Sequence, residues 1–286
     1  MSTRPDQRTL RLALAVSTRA PSANNTQPWR WVSAAGALHL VADRTWQDGA
    51  SGPDGHDVEI SCGAALHHLG TALAALGVRT AISTAPSPTE PDHLAVVEVV
   101  GPHSPSAAEL TMAGAISARR TERRPFSPDP VPADLLTTLR LRAERYGVLL
   151  TPVTGDVERH RFAVAVDHAA ANPPLGSWAA ADELSAGALL LLSTKGDGTA
   201  DRVGAGQATS AVLLTATAMG LASCALSQPL ADPRYRAEVS DRLLRRYRTP
   251  HLFLRIGYGL PAPAPPRTPR RPWSECYTEL PEVALG

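Results

Sequence analysis

The chain has 286 residues, 43% of them hydrophobic and 19% charged, enough to bury a sizeable core in one large domain or two ordinary ones. Its 28 basic and 27 acidic residues leave a formal net charge of +1, so electrostatics gives no reason to expect nucleic acid or an anionic membrane as partner. Three widely spaced cysteines, Cys62, Cys224 and Cys276, form no C-x-x-C pair, no zinc spacing and no even-numbered disulfide framework, which points to a reducing cytoplasm.

In chain order, the N-terminus to Asp6 is polar, and the apolar stretch Leu10–Val16 is interrupted by Arg11 and too short for a signal peptide or a membrane span. A turn-prone polar loop, Pro21-Ser-Ala-Asn-Asn-Thr-Gln-Pro-Trp-Arg-Trp31, then leads into a Trp-anchored strand. Gly63–Gly77 is rich in alanine and leucine and closes on glycine, as a buried helix with a C-terminal glycine cap does. Pro86–Pro91 is a surface loop, His93–Gly101 a strand, and Gly101–Pro105 the start of a connection. Apolar and charged positions alternate at helical spacing over 132–146, after Pro132. Gly187–Leu192 is a strand-sized apolar run. Residues 206–220 form a second buried helix, His251–Gly259 a strand, and the proline-rich 261–272 an extended tail lying across other elements.

The chain repeats itself. Gly63–Gly77 matches Gly206–Gly220 without a gap, both terminal glycines displaced by 143 residues (63 to 206 and 77 to 220). The strand at 93–101 parallels that at 251–259, and Ala15-Val-Ser-Thr-Arg19 echoes Ala115-Ile-Ser-Ala-Arg119. Each half therefore reads as helix, loop, strand, long buried helix, strand, with residues 1–105 and 106–286 as the two halves. Helices and strands mix without strict βα alternation, which predicts an α+β fold.

Two further segments carry chemistry. Ala118-Arg-Arg-Thr-Glu-Arg-Arg-Pro-Phe126 places guanidinium groups and a hydroxyl beside a helix end, a set suited to phosphate, although such clusters are more often solvated surface. Arg267-Thr-Pro-Arg-Arg-Pro272 could bring another arginine to the same anion from the tail. Together with the loop at 21–31, these motifs resemble the FMN-dependent nitroreductase superfamily. Ordinary members carry the arginine motif first and the Asn-Gln-Pro-Trp loop next, and two subunits share each flavin. The reversed order here resembles the Acg-like branch, whose single chain imitates the dimer and keeps one flavin site. Gly206–Leu230 and Arg255-Ile-Gly-Tyr-Gly259 also look typical of that branch.

The resemblance implies FMN as cofactor, with Arg119, Arg120, Thr121 and Arg123 around the ribityl phosphate and Arg270 joining from the tail. It implies that Pro21, Ser22, Ala23 and Asn25 approach the flavin ring, and that backbone groups of Ala225, Leu226 and Ser227 face the ring near its reactive nitrogen. No conspicuous catalytic side chain is visible. The branch carries a longer lid insertion than the stretch Arg159–Ser185 found here, which includes Asn172–Trp178, so a more open site is expected.

Other signals are weaker. Gly204-Ala-Gly206-Gln-Ala-Thr209 lacks the third glycine of a dinucleotide fingerprint and sits inside the repeated helix. His67 and His68 are adjacent and point to different helix faces, which suits packing better than metal. The segment Lys195–Asp201 reads as a turn, lacking the acidic ladder of a calcium loop. No metal is expected. The reading is a monomeric FMN-binding oxidoreductase that passes hydride between flavin and NAD(P)H or a small organic substrate. The alternative is a protein that sequesters flavin without turnover.

Overall fold

The computed structural model describes residues 6–46, 55–170 and 186–280. Two compact units account for it: residues 1–117 with 268–286, and residues 118–267. This partition differs from a division at 105/106, because α3 (Ala107–Ala118) ends at the boundary and the tail returns to the first unit.

In the first unit, α1 (Gln7–Ser17) is capped by Asp6, whose carboxylate accepts from Thr9 N at 2.9 Å. Strands β1 (Trp29–Ala34) and β2 (Ala37–Ala42) form a hairpin, with Ala34 opposite Ala37. Its two turn residues, Ala35 and Gly36, have φ of 46° and 80°, the positive pair that a tight hairpin twist requires. Helix α2 (His56–Ala75) follows, then β3 (Val78–Thr84) and β4 (His93–Pro102). The last strand, β9 (Tyr277–Glu279), pairs in parallel with β1, and Trp31 N donates to Cys276 O at 2.7 Å. The sheet order is β3-β4-β2-β1-β9. Alternation along β1 buries Trp29 and Trp31 completely and leaves Arg30 exposed. Each tryptophan contributes on the order of 3 kcal/mol through apolar burial.

The second unit holds α4 (Ala133–Glu144), β5 (Leu149–Pro152), α5 (Asp156–Ala170), β6 (Ala188–Thr194), α6 (Thr199–Ala218), β7 (Ala222–Leu226), α7 (Pro233–Leu244) and β8 (Thr249–Gly257). Its antiparallel sheet runs β5-β6-β8-β7. Phe162 and Val166 of α5 and Val239 of α7 join Leu189, Leu191, Leu226 and Phe253 of the sheet in one buried cluster.

The internal match is closer than the sequence landmarks alone require. Helix α2 maps onto α6 at both ends, from 56 to 199 and from 75 to 218, 143 residues in each case. Both are followed by a glycine in the left-handed region, Gly77 at φ 81° and Gly220 at φ 76°, which releases the chain from the helix at no Cβ cost. The strand order is shared as well: β3-β4-β2-β1 becomes β7-β8-β6-β5, each strand replaced by the one four later. Ala15–Arg19 and Ala115–Arg119 fall at the C-terminal ends of α1 and α3. Helix α6 is buried without interruption from Val203 to Ala216, and its Thr209 and Thr215 hydroxyls donate to carbonyls one turn back, at 2.8 and 2.7 Å.

Sequence and structure differ chiefly in what lies between these landmarks. The predicted helix at 132–146 is α4, and the strand at 251–259 is β8, which starts two residues earlier, at Thr249. Strands β2, β3, β5, β7 and β9 and helices α5 and α7 are additional to the coarse pattern. The segment Gly204–Thr209 is interior helix, not a phosphate loop, and Lys195–Gly198 bends into α6 with Asp201 accepting from the Gly198 N–H at 3.2 Å. His68 is fully buried on α2. The lid remnant Pro173–Trp178 lies outside the described residues. Among the described residues no helix is long and apolar enough to cross a membrane, and all three cysteines are free and buried.

Candidate functional site

The arginine motif belongs to the second unit, and the open edge of β7 positions it. Thr121 bridges Ser223 in parallel, and Glu122 N donates to Ser223 O at 2.9 Å. Further on, Phe126 bridges Gly259 and Ser127 N donates to Tyr258 O at 2.8 Å. The segment thus runs as a short added strand that covers otherwise unpaired backbone groups.

Its arginines divide by task. Arg124 clamps the Glu122 carboxylate with two nitrogens, donates to it through its own backbone N–H at 3.0 Å, and reaches Pro263 O at 3.2 Å. The Arg124 guanidinium holds the buried Glu122 carboxyl below the usual range. Arg120 donates to Arg119 O at 2.7 Å and Ala118 O at 3.1 Å, supplying donors to carbonyls at the end of α3. Arg119 is buried to 8% exposure, with Nη1 at 3.3 Å from Thr121 Oγ1, while Arg123 is exposed. Ala225 and Leu226 close β7, and Ser227 precedes the 3-10 turn Gln228–Ala231. One strand therefore links Arg119, Arg120, Thr121 and Arg123 with Ala225, Leu226 and Ser227. Between them, burial pushes the Cys224 thiol up to about 11 against the opposing charges of Arg123, Arg255 and Arg119. A thiol so placed stays protonated near neutral pH.

The remaining predicted residues, Pro21, Ser22, Ala23, Asn25 and Arg270, gather in the first unit. A 3-10 turn at Ala23–Asn25 includes positive φ at Asn24 (49°) and Asn25 (60°), and Gln27 follows at 52°. Asparagine tolerates that region; glutamine is held there by contacts. Gln27 N donates to Ser22 Oγ at 3.1 Å, and Gln27 Oε1 accepts from Arg271 N at 2.8 Å. Asn25 is engaged at both ends, Nδ2 donating to Pro269 O at 3.1 Å and Oδ1 accepting from Arg270 Nη1 at 2.8 Å. The polar loop that the resemblance implies approaches the flavin ring is the clasp that fixes the tail. Burial, reinforced by the charge of Arg19, lowers the Arg270 guanidinium to about 10. Two cations held against each other this way favour an anion near them.

Two residues escaped the sequence reading. Arg19 was visible as the repeat counterpart of Arg119 but had no assigned part. Arg255, on β8, is 1% exposed and stacks over Phe126 at 4.5 Å; its place inside an apolar strand was the available signal.

An arginine-lined segment on an α+β scaffold whose two units share one strand order is the class these features define. No protein-family model matches the chain. Curated relatives do. The Mycobacterium tuberculosis protein named "Putative NAD(P)H nitroreductase Rv3131" is 35% identical over 326 aligned positions, covering 98% of this chain and 94% of that one. "Putative NAD(P)H nitroreductase acg" from the same organism is 27% identical, covering 94% and 95%. The chain belongs to the NAD(P)H nitroreductase family represented by these relatives. A solved nitroreductase with bound FMN from Bacteroides fragilis is similar at 19% identity and a TM-score of 0.43, over 56% of this chain and 94% of that one.

Proposed function

We propose that this protein is an FMN-dependent oxidoreductase of nitroreductase type, passing hydride between the flavin and a pyridine nucleotide or small organic substrate. The observation that carries the reading is the pairing of Arg119 with Thr121 in the arginine segment. Arg119, at 8% exposure, holds its guanidinium 3.3 Å from the Thr121 hydroxyl on a segment that the Arg124–Glu122 pair braces, and a guanidinium beside a hydroxyl is a set a phosphate dianion selects.

The donor set fits FMN. Arg119, Arg120, Thr121 and Arg123 would hold the ribityl phosphate, with Arg270 as a further cation. Pro21, Ser22, Ala23 and Asn25 would border the ring. Backbone N–H groups of Ala225, Leu226 and Ser227 would donate near the reactive nitrogen, where a hydrogen bond favours the reduced form. FMN supplies the two-electron centre that accepts and returns a hydride. The chain's own part is to bind, orient and polarise; the protonated Cys224 thiol has no step in this scheme.

Reduced NADH or NADPH is the proposed electron donor, and a nitroaromatic or quinone the proposed acceptor. The alignment with Rv3131 spans 326 positions against 286 residues here, so at least 40 positions of the alignment (326 − 286) have no residue in this chain. We propose a more open site with its own substrate range, on the shorter stretch Arg159–Ser185 that the family resemblance marks. We further propose a cytoplasmic monomer that carries one flavin.

An absorbance spectrum of the purified protein, followed by anaerobic NADPH, tests the reading. A yellow protein bleached by NADPH or NADH is expected. A yellow protein that neither nucleotide reduces would favour flavin sequestration. A colourless protein that FMN cannot reconstitute would refute the assignment.

A further inference from the structure

Arg255 is the least explained side chain of the second unit. It is 1% exposed, and none of its three guanidinium nitrogens has a hydrogen-bond partner among the described residues. A buried cation without acceptors is costly, so its retention on an apolar strand calls for a compensating contact. One contact and one charge supply it. The guanidinium carbon lies 4.5 Å from the centre of the Phe126 ring, and the negative charge of Glu122 on the same segment favours the guanidinium while that of Arg159 opposes it. Phe126 in turn is seated on two glycines. A Cβ at Gly187 or at Gly257 would come 2.8 Å from Phe126 Cδ2, closer than real contacts allow.

We propose that Arg255 is a positioning residue for the flavin phosphate: it fixes the 119–126 segment from beneath, through Phe126 and Glu122. The proposal rests on the flavin reading above. Arg255 is four residues before the Phe126 bridge partner Gly259, and it lies opposite Cys224 of β7, whose neighbour Ser223 pairs with Thr121. The arginine motif is thus pinned at one end by backbone bonds to Ser223 and at the other by a stacked ring. Arg255 holds the second pin. Loosening it should misplace Arg119 and Thr121 and leave the ring-facing residues of the first unit untouched.

The test compares FMN with riboflavin, which has the same ring and lacks the phosphate. Both are titrated into the full-length apoprotein, following the quenching of flavin fluorescence, for wild type, Arg255→Met, Arg255→Lys and Gly257→Ala. Wild type should prefer FMN. In Arg255→Met, FMN should weaken on the order of tenfold while riboflavin stays within about twofold, so the preference collapses. Arg255→Lys, which keeps a cation at the ring, should restore part of it. Gly257→Ala displaces Phe126 without touching charge and should reproduce the loss. Removing an unpaired buried charge leaves Arg255→Met able to fold, and its thermal transition should not fall below that of wild type. An unchanged FMN-to-riboflavin ratio in Arg255→Met and Gly257→Ala, or an equal loss of both flavins, overturns the positioning role and leaves the FMN assignment standing. A wild-type protein that does not distinguish the two flavins overturns the phosphate assignment, and this inference with it.

Discussion

The two units use one strand order and equip it differently. In the first, the added strand is β9, which joins the β1 edge; in the second, the arginine segment joins the β7 edge, the counterpart of β3. The β1–β2 connection is a two-residue turn, whereas the matching β5–β6 connection contains α5 and residues 171–185. A common scaffold thus leaves opposite edges open in its two copies. The additions cover the other edge in each copy, β1 in the first and β7 in the second, while the central helix and the strand order are kept.

The largest way to break this comparison is in the core of the first unit. Trp31→Ala should destabilise the protein by about 3–5 kcal/mol, since it empties a fully buried site that the second unit does not repeat. Denaturant unfolding monitored by circular dichroism measures it, and a loss under about 1 kcal/mol would contradict the packing described. Next is the functional edge. Arg119→Ala should weaken FMN by about 1.5–3 kcal/mol, roughly ten- to a hundredfold, because it removes a charge-assisted contact. Equilibrium dialysis reads the change, and unaltered retention would show that the phosphate lies elsewhere.

The matched glycines give a finer contrast. Both occupy the left-handed region, so each alanine substitution should cost about 1–2 kcal/mol in backbone strain. An added Cβ at Gly220 meets nothing within 4 Å, whereas at Gly77 it lies 3.2 Å from His103 O. Gly77→Ala should therefore lower the melting temperature more than Gly220→Ala; the reverse order would show that the two helix ends are not equivalent.

The smallest expected effect concerns α3, the counterpart of α1. Backbone and hydroxyl donors of Ser106, together with His103, hold the Glu109 carboxyl down to about 2. Because the folded-state value is depressed, this contribution is present above the ordinary carboxylate range and fades as pH falls towards about 2. Glu109→Gln should flatten that acid limb of stability slightly. Asp6 at the start of α1 is lowered by Thr9 in the same sense, so Asp6→Asn is the matching control.

What the sequence made legible follows from the range of each signal. The buried helices were readable because a long alanine- and leucine-rich run ending in glycine has few alternatives, and it recurs at one offset. Strands β4 and β8 were readable for the same reason. Helix α7 carried a local signal, Asp232 capping ahead of Pro233, that the repeat pattern did not use. Strand β9 was not readable, because three residues have no periodicity and their pairing with β1 is set by tertiary contact. At the site, the family resemblance marked Arg119, Arg120, Thr121 and Arg123, and the structure adds that Arg120 also donates to carbonyls at the end of α3 while Arg124 braces Glu122. The same holds for Asn25: spacing marked it as polar, and only the structure shows it gripping the tail.

Native mass spectrometry of the freshly purified protein tests most directly the central proposal, that one chain carries one flavin. The account predicts a single chain carrying one FMN, and a single chain without FMN for Arg119→Ala. A flavin retained only by a dimer, or two flavins per chain, would contradict it.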